Sequence, residues 1–330
     1  ETHVYRLRKK INELKGSFKN ILIINSKPMG IPKLNRYLND NCNKGSIKKT
    51  HLKILKGKTL VIDTSIYLYK FISNGDLLEQ MYLFISILKS YDIIPIFIFD
   101  GKPPPEKREL LLKRHNDKKV VEGECKLLED KLLLIESIED KEKIEMELLS
   151  LKKKCIRIKD EDIEKVKELM RAYGVKYIDA ERESDELCGY LINNNIAYGC
   201  ISDDMDMFMY KCKFIIRHLS LLNHTIVLYD YDKICDDLNK TSDELTDVLL
   251  LCGTDYNINI HQNIFEVFKW HNEYKGKEEE GKEFYDWVKE NKKDININEL
   301  INLKRLFTTS DLSLNITEIL DCHYSASKDD

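Results

Sequence analysis

Three short apolar runs in this chain lead directly into aspartate. Leu60-Val-Ile is closed by Asp63, Ile96-Phe-Ile-Phe by Asp100, and Cys200-Ile-Ser is followed by Asp204 and Asp206. Runs that are apolar at every residue suit strands covered on both faces, as in a parallel sheet packed between helices. In such a sheet the carboxyl ends of the strands share one edge, and open α/β folds place their sites there. Four carboxylates are therefore expected at one edge, where like charges repel unless something positive lies among them. Singly, each has an ordinary reading: Asp63 as the cap of the next helix, Asp100-Gly101 as a turn, Ser202-Asp-Asp as a helix start.

The rest of the chain fits the same class. An apolar run over Thr59 to Ile62, a helix from about Ser65 to Ser90 and a second run over Ile93 to Phe99 read as strand, helix, strand. Helical Ser184 to Asn193 leads to a run over Ala197 to Ile201, and Thr225 to Tyr229 closes the set, with right-handed crossovers expected. Residues 115 to 168 contain one glycine and no proline, and Lys and Glu alternate along Leu-rich stretches. They predict one or two long charged helices inserted between two strands. Thr241-Ser-Asp-Glu244 ahead of Leu245 to Leu251 has the form of a capping box that opens a further helical region.

Composition sets bounds on partners and compartment. The 330 residues suffice for one large domain or two ordinary ones. Lys+Arg 53 against Asp+Glu 57 leaves a net charge of -4, so contact with nucleic acid must come from local patches. No apolar run approaches the roughly 18 to 20 residues of a membrane span. Nine cysteines without a CxxC pair read as reduced thiols in an intracellular compartment.

More acids stand in Glu181-Arg-Glu-Ser-Asp-Glu186, at the start of a helix, and Asp255 follows Cys252-Gly-Thr254. No histidine or cysteine lies within three residues of Asp63, Asp100, Asp204 or Asp206, so the donor set is all oxygen, which suits Mg2+ or Mn2+ rather than zinc. Two such ions about 4 Å apart activate a water and stabilise the leaving oxygen in phosphodiester hydrolysis. A glycosidase needs only two carboxylates. After Lys102-Pro-Pro-Pro105 a helix begins, with Lys107 and Arg114 seven residues apart on one face and Arg108 and Lys113 nearby. They are either phosphate ligands or a solvated face paired with Glu106 and Glu109. Tyr69, six residues beyond Asp63, is either a stacking platform for a base or a half-buried tyrosine.

These residues resemble the flap endonuclease / xeroderma pigmentosum group G (XPG) family of structure-specific 5′ nucleases. The similarity runs through Met29-Gly-Ile-Pro-Lys-Leu34, Val61-Ile-Asp-Thr-Ser65, Phe97-Ile-Phe-Asp-Gly-Lys-Pro-Pro104, Tyr177-Ile-Asp-Ala180, Ser202-Asp-Asp-Met-Asp206 and Leu251-Cys-Gly-Thr-Asp-Tyr256. The resemblance implies a PIN-like, mostly parallel α/β sheet flanked by helices. Residues 1-28 would be an N-terminal extension, 29-240 the nuclease domain with a helical arch at about 105-168, and 241-330 a helical region with a degenerate helix-hairpin-helix. It implies two Mg2+ ions, replaceable by Mn2+: Asp63, Asp100, Glu183 and Asp185 would hold one, Asp204, Asp206 and Asp255 the other. Lys107 and Arg114 would steer the scissile phosphate, Tyr69 would stack the 5′ nucleotide, and Gly30 and Arg108 would line the DNA path.

The sequence departs from the family pattern in three places. Twenty-eight residues precede the Met-Gly at which family chains normally begin. Asn257 to Lys275 lacks the glycines of the hairpin that holds K+ and a duplex phosphate. The tail from Asp311 has no sliding-clamp element; Gln262-Asn-Ile-Phe265 is a poor imitation, expected to be buried, and clamp binding is not expected. The implied activity is a Mg2+-dependent flap endonuclease or 5′-3′ exonuclease acting on branched or 5′-ended DNA in replication, repair or recombination, as a monomer, in a nucleus or viral factory. Two alternatives stay open: a 5′-3′ exoribonuclease, and a non-catalytic nucleic-acid-binding scaffold on the same fold.

Overall fold

Leu60, Val61 and Ile62 are fully buried, and on the order of 2 kcal/mol for each such side chain holds their strand in place beneath an acidic end that repels its neighbours. The computed structural model describes residues 30–257, 260, 262–276, 283–292 and 295–307. Its first half contains α1 (Leu34–Asn41), β1 (Ile47–His51), β2 (Thr59–Asp63), α2 (Thr64–Ser73), α3 (Leu77–Ser90) and β3 (Ile94–Phe99). Three helices follow, α4 (Arg108–Leu134), α5 (Ile138–Lys154) and α6 (Asp160–Ala172), then β4 (Lys176–Asp179), α7 (Ser184–Asn193) and β5 (Gly199–Ile201). The chain continues through β6 (Phe214–Ser220), β7 (Thr225–Asp230), α8 (Tyr231–Asp237), α9 (Ser242–Cys252), α10 (Ile264–Lys275), α11 (Phe284–Asn291) and α12 (Ile297–Leu306).

The seven strands are ordered β1-β7-β6-β5-β2-β3-β4. β2 pairs in parallel with β3 and β5, β3 with β4, and β5 with β6. Only β7 runs antiparallel, to β6 and to β1. The fold is thus the expected mostly parallel α/β sheet with helices on both faces. Alternate strand residues feed two cores: Val61, Ile96, Ile98 and Cys200 face the side of α7 and α9, while Leu60, Ile62, Phe97 and Phe99 face α2, α3 and α6.

Four expectations are corrected. The helix read from Ser65 to Ser90 is two helices, broken at Asn74–Asp76, where Gly75 takes a positive φ of 85° open to a residue without a Cβ. The run Thr225 to Tyr229 is not reached by a helical crossover: it returns as a hairpin from β6, which its own sequence did not announce, because Arg217 and His218 interrupt the apolar run. β1, Ile-Lys-Lys-Thr-His, was also missed; it is a sheet edge, where lysines guard against further pairing. β4 was missed as a strand because only four residues of it pair.

The charged insertion forms two antiparallel helices, α4 and α5, tied by Lys152–Glu129 at 2.7 Å and Arg157–Glu122 at 2.8 Å. Only Cys125 of α4 and Leu148 of α5 are buried, whereas Leu127, Leu133, Leu134 and Ile138 are exposed. α6 differs, returning to the sheet with Val166 and Met170 in the core. The capping box at Thr241 is present: Thr241 Oγ1 accepts from the Glu244 N–H at 3.2 Å and Glu244 returns at 2.7 Å. Residues 1–29 and 308–330, including Met29 and the tail from Asp311, lie outside the described residues, as do Ile258, Asn259 and His261 of the glycine-free segment.

Candidate active site

Parallel β2, β3 and β5 carry Asp63, Asp100 and the Ser202–Asp206 turn to one sheet edge, as their registers require. The ordinary reading of Asp63 as a helix cap does not hold. It occupies the N-cap position of α2 but makes no capping bond; its two oxygens accept from Ser184 Oγ and Ser202 Oγ, each at 3.1 Å. Nor does Asp100 serve only a turn, since it accepts from Ser65 Oγ and from the Ser184 N–H at 2.8 Å. Asp204 does start a short 3-10 turn, accepting from the Asp206 N–H at 2.8 Å. The Asp255 N–H reaches Asp206 Oδ2 at 3.2 Å, which brings the end of α9 to the same edge.

Glu183 and Asp185 enter from the N-terminus of α7. That start is fixed by Gly101, whose N–H bonds to the Arg182 carbonyl at 2.5 Å; a Cβ there would lie 2.0 Å from the Ala180 carbonyl oxygen. Gly30 approaches as closely from the other side. It has a φ of 73°, and a Cβ on it would lie 2.3 Å from Asp204 Oδ1 and 2.6 Å from the Asp206 nitrogen, so the start of the described chain is fitted against this acid pair.

The electrostatics are those of crowded, desolvated acids. Burial first, then Asp100 and Asp204, pushes Asp63 up to about 8 against the two serine hydroxyls. Burial pushes Asp204 up to about 6, and it holds Asp185 and Asp206 well above the usual carboxylate range, with neighbouring acids adding. Lys107 stands among them, nearly buried at 8% exposure, with Nζ 2.6 Å from Glu183 Oε2 and 4.6 Å above the Tyr256 ring. Burial opposes its charge, yet Asp185 and Glu183 more than offset this and raise it. Arg114, half-exposed, pairs with Asp255 at 2.8 Å. The alternative of a solvated face therefore fails for Lys107; Arg114 stays exposed but reaches Asp255, and Arg108 lies on the exposed first turn of α4. Tyr69 is 46% exposed, with Lys118 Nζ 5.6 Å from its ring centre.

The donors fit hard cations. Among the described residues, Asp185 Oδ1 and Asp206 Oδ1 are buried acceptors without a hydrogen-bond partner, in a set made only of oxygen. Among the described residues no group of three or more His, Cys, Asp or Glu side chains is placed to hold a metal ion as it stands. Lys107 and Arg114, paired with Glu183 and Asp255, supply the positive charge instead.

Ser65, Ser184, Ser202, Arg217 and Tyr256 escaped the sequence reading. Each serine lies within two residues of an acid, a signal available in hindsight. Arg217 carried none, because it reaches the acid loop from β6, donating to the Asp203 carbonyl at 2.6 Å and to Met205 Sδ. The Gln262–Phe265 segment is also corrected: Ile264 is buried, but Phe265 is 39% exposed and packs edge-on against Tyr37.

A mostly parallel sheet with acids along one strand edge and a helical insertion is the architecture of the PIN-like nuclease fold. The chain belongs to the flap endonuclease / XPG family of nucleases: residues 29–120 match the XPG N-terminal domain and residues 174–255 the XPG I-region, together just over half of the chain. It is 27% identical over 288 residues to the probable RAD2-like endonuclease 369L of Invertebrate iridescent virus 6, covering 71% of this chain and 68% of that one. It is 29% identical over 236 residues to flap endonuclease 1 of Methanococcus aeolicus, covering 64% and 68%. Among solved structures, the catalytic core of Rad2 in complex with DNA substrate superposes with a TM-score of 0.57 at 19% identity, covering 91% of this chain and 88% of that one.

Proposed function

We propose that this protein is a divalent-metal-dependent nuclease that cuts branched or 5′-ended DNA, in the setting of replication, repair or recombination. The observation that carries the reading is the gathering of Asp63, Asp100, Glu183, Asp185, Asp204, Asp206 and Asp255 at one edge, with Lys107 and Arg114 held among them. Asp63, Asp100, Glu183 and Asp185 would hold one Mg2+ and Asp204, Asp206 and Asp255 a second, with Mn2+ able to replace them. When bound, such a pair supplies the Lewis acidity that phosphodiester hydrolysis by water requires.

The chain's own groups have separable tasks. Lys107 and Arg114 neutralise the phosphate, and their ion pairs keep both side chains at the acid edge until a phosphate competes for them. Tyr69 offers an exposed face to the terminal base, with the Lys118 charge beside its ring, and Arg108 offers a further charge on the first turn of α4. The serine hydroxyls hold Asp63 and Asp100 in fixed orientations. Residues 29–240 would form the nuclease domain, with the helical pair within 105–168 as an arch over a free 5′ end, and the helices beyond 241 a platform for duplex. Names of similar proteins support the substrate class: they are flap endonucleases and a RAD2-like endonuclease.

The test is cleavage of 5′-labelled flap, nicked, gapped and single-stranded DNA, with an RNA flap of the same sequence as a further arm. Asp204→Asn should lower the rate by about a hundred- to a thousandfold while leaving circular dichroism and substrate binding intact. Full activity of that variant in Mg2+ rejects the reading, and preference for the RNA end moves it to an exoribonuclease.

A further inference from the structure

Among the described residues, Glu183 is gripped on one oxygen only. Lys107 Nζ lies 2.6 Å from Oε2, and the Tyr256 hydroxyl donates to the same Oε2. Neither donor engages Oε1. The Tyr256 hydroxyl is itself anchored, 3.1 Å from the hydroxyl of fully buried Tyr210. Tyr210 can lie there because Gly189 of α7 has no side chain: a Cβ on that glycine would sit 2.7 Å from Tyr210 Cβ. Phe307, at the end of α12, closes the group from behind, its ring centre 5.2 Å from both tyrosine rings and edge-on to each.

We propose that Tyr256 is a positioning residue for Glu183: its hydroxyl, braced by Tyr210 and Phe307, occupies Oε2 and leaves Oε1 as the single oxygen offered to a divalent cation. A carboxylate at the start of a helix, free to rotate, can offer one oxygen or two, and the difference changes the coordination number of the ion it holds. The hydroxyl removes that choice. Lys107 cannot do the same alone, because it is also the cation placed to meet phosphate, and its departure would release Oε2. The tyrosine has no such second role. The brace also ties the last described helix to the acid edge, so the C-terminal region takes part in shaping the site.

This assignment rests on the reading of the acid edge as a divalent-cation site, and the experiment separates the two. Mn2+ binding to the full chain is measured by calorimetry, without substrate, for the wild type, Tyr256→Phe, Glu183→Gln and the double variant. Partners that orient a metal ligand typically change affinity by about 10- to 100-fold. Tyr256→Phe keeps the ring and should weaken Mn2+ binding about tenfold, and it should add little in the Glu183→Gln background. Phe307→Leu, which leaves both hydroxyls in place, should weaken it by a smaller factor, and serves if Tyr256→Phe does not fold. Wild-type affinity in a folded Tyr256→Phe, or its full effect repeated on Glu183→Gln, overturns the assignment. A wild-type chain that binds no Mn2+ overturns the cation site and the assignment with it.

Discussion

Arg217 shows what a single buried cation does for this acid edge. It is almost wholly buried, bonds the Asp203 carbonyl and Met205 Sδ, lies 5.7 Å from the Tyr229 ring centre, and leaves Nε without a partner. It therefore supports the Asp203–Asp206 turn from behind while lowering the cost of charge on Asp204, which it opposes raising. Arg217→Met, similar in length but uncharged, should cost about 1.5 to 3 kcal/mol in urea unfolding, the range for hydrogen bonds to charged groups. It should also move the acid limb of the cleavage pH profile upward, because Asp204 loses a cation that favours its ionised form; an unshifted limb would show that Arg217 only fills space. Asp63, Asp100, Asp204 and Asp206 were legible in the sequence because they follow three apolar runs, whereas Glu183 and Asp185 stood out only as an acidic helix start and Asp255 as the turn after a helix. Arg217, Tyr256 and the serines were not, because their roles depend on which strand lies beside which, and only the sheet order β6-β5-β2-β3 supplies that.

At the scale of elements, legibility followed burial. β2 and β3, covered on both faces, read as unbroken apolar runs, and α7 was placed to the residue. β1 and β6 carry Lys48, Lys49, Arg217 and His218, and polar side chains on an edge or beneath an acid loop erase the pattern that identifies a strand. The insertion was read as charged helices from its composition, and most of its leucines face solvent. This leads to a prediction about stability. Because α4 beyond its first three turns and α5 bury only Cys125 and Leu148, replacing residues 120–154 with a short Gly/Ser linker should change the free energy of unfolding by no more than about 2 kcal/mol. Lys107 and Arg114 remain in that variant, so cleavage at a nick should persist while the advantage of a free 5′ end is lost. A chain that no longer folds would mean that the helical pair is a structural part of the sheet's cover.

For the whole molecule, the net charge of -4 conceals an uneven distribution: seven carboxylates share one edge, and burial with mutual repulsion raises several of them. A carboxyl raised in the folded state binds protons there that the unfolded chain has already released, so its favourable contribution is full below the unfolded value near 3.8 and is lost as pH rises through the folded value. For Asp63 that window reaches about 8. His271 acts in the opposite sense. Burial, with Lys240 adding, lowers it to about 4, so its contribution is present above 6.5 and is lost as pH falls. The two trends separate above pH 6.5, where the acids remain. In chelator, the unfolding temperature should therefore fall between pH 6.5 and 8. Divalent cations held at the proposed site should reverse this, since they would bind the ionised carboxylates and gain affinity as the protons leave. At about 100 times its dissociation constant, a ligand specific to the folded state adds about 2.7 kcal/mol, which for a chain of this size corresponds to a rise of roughly 4 °C. Thermal unfolding in 10-fold steps of Mg2+ at pH 6.5, 7.2 and 8 should show a cation-dependent rise that grows with pH. A cation effect that is absent, or equal at all three values, would mean that the raised carboxyls and the metal site are not the same groups.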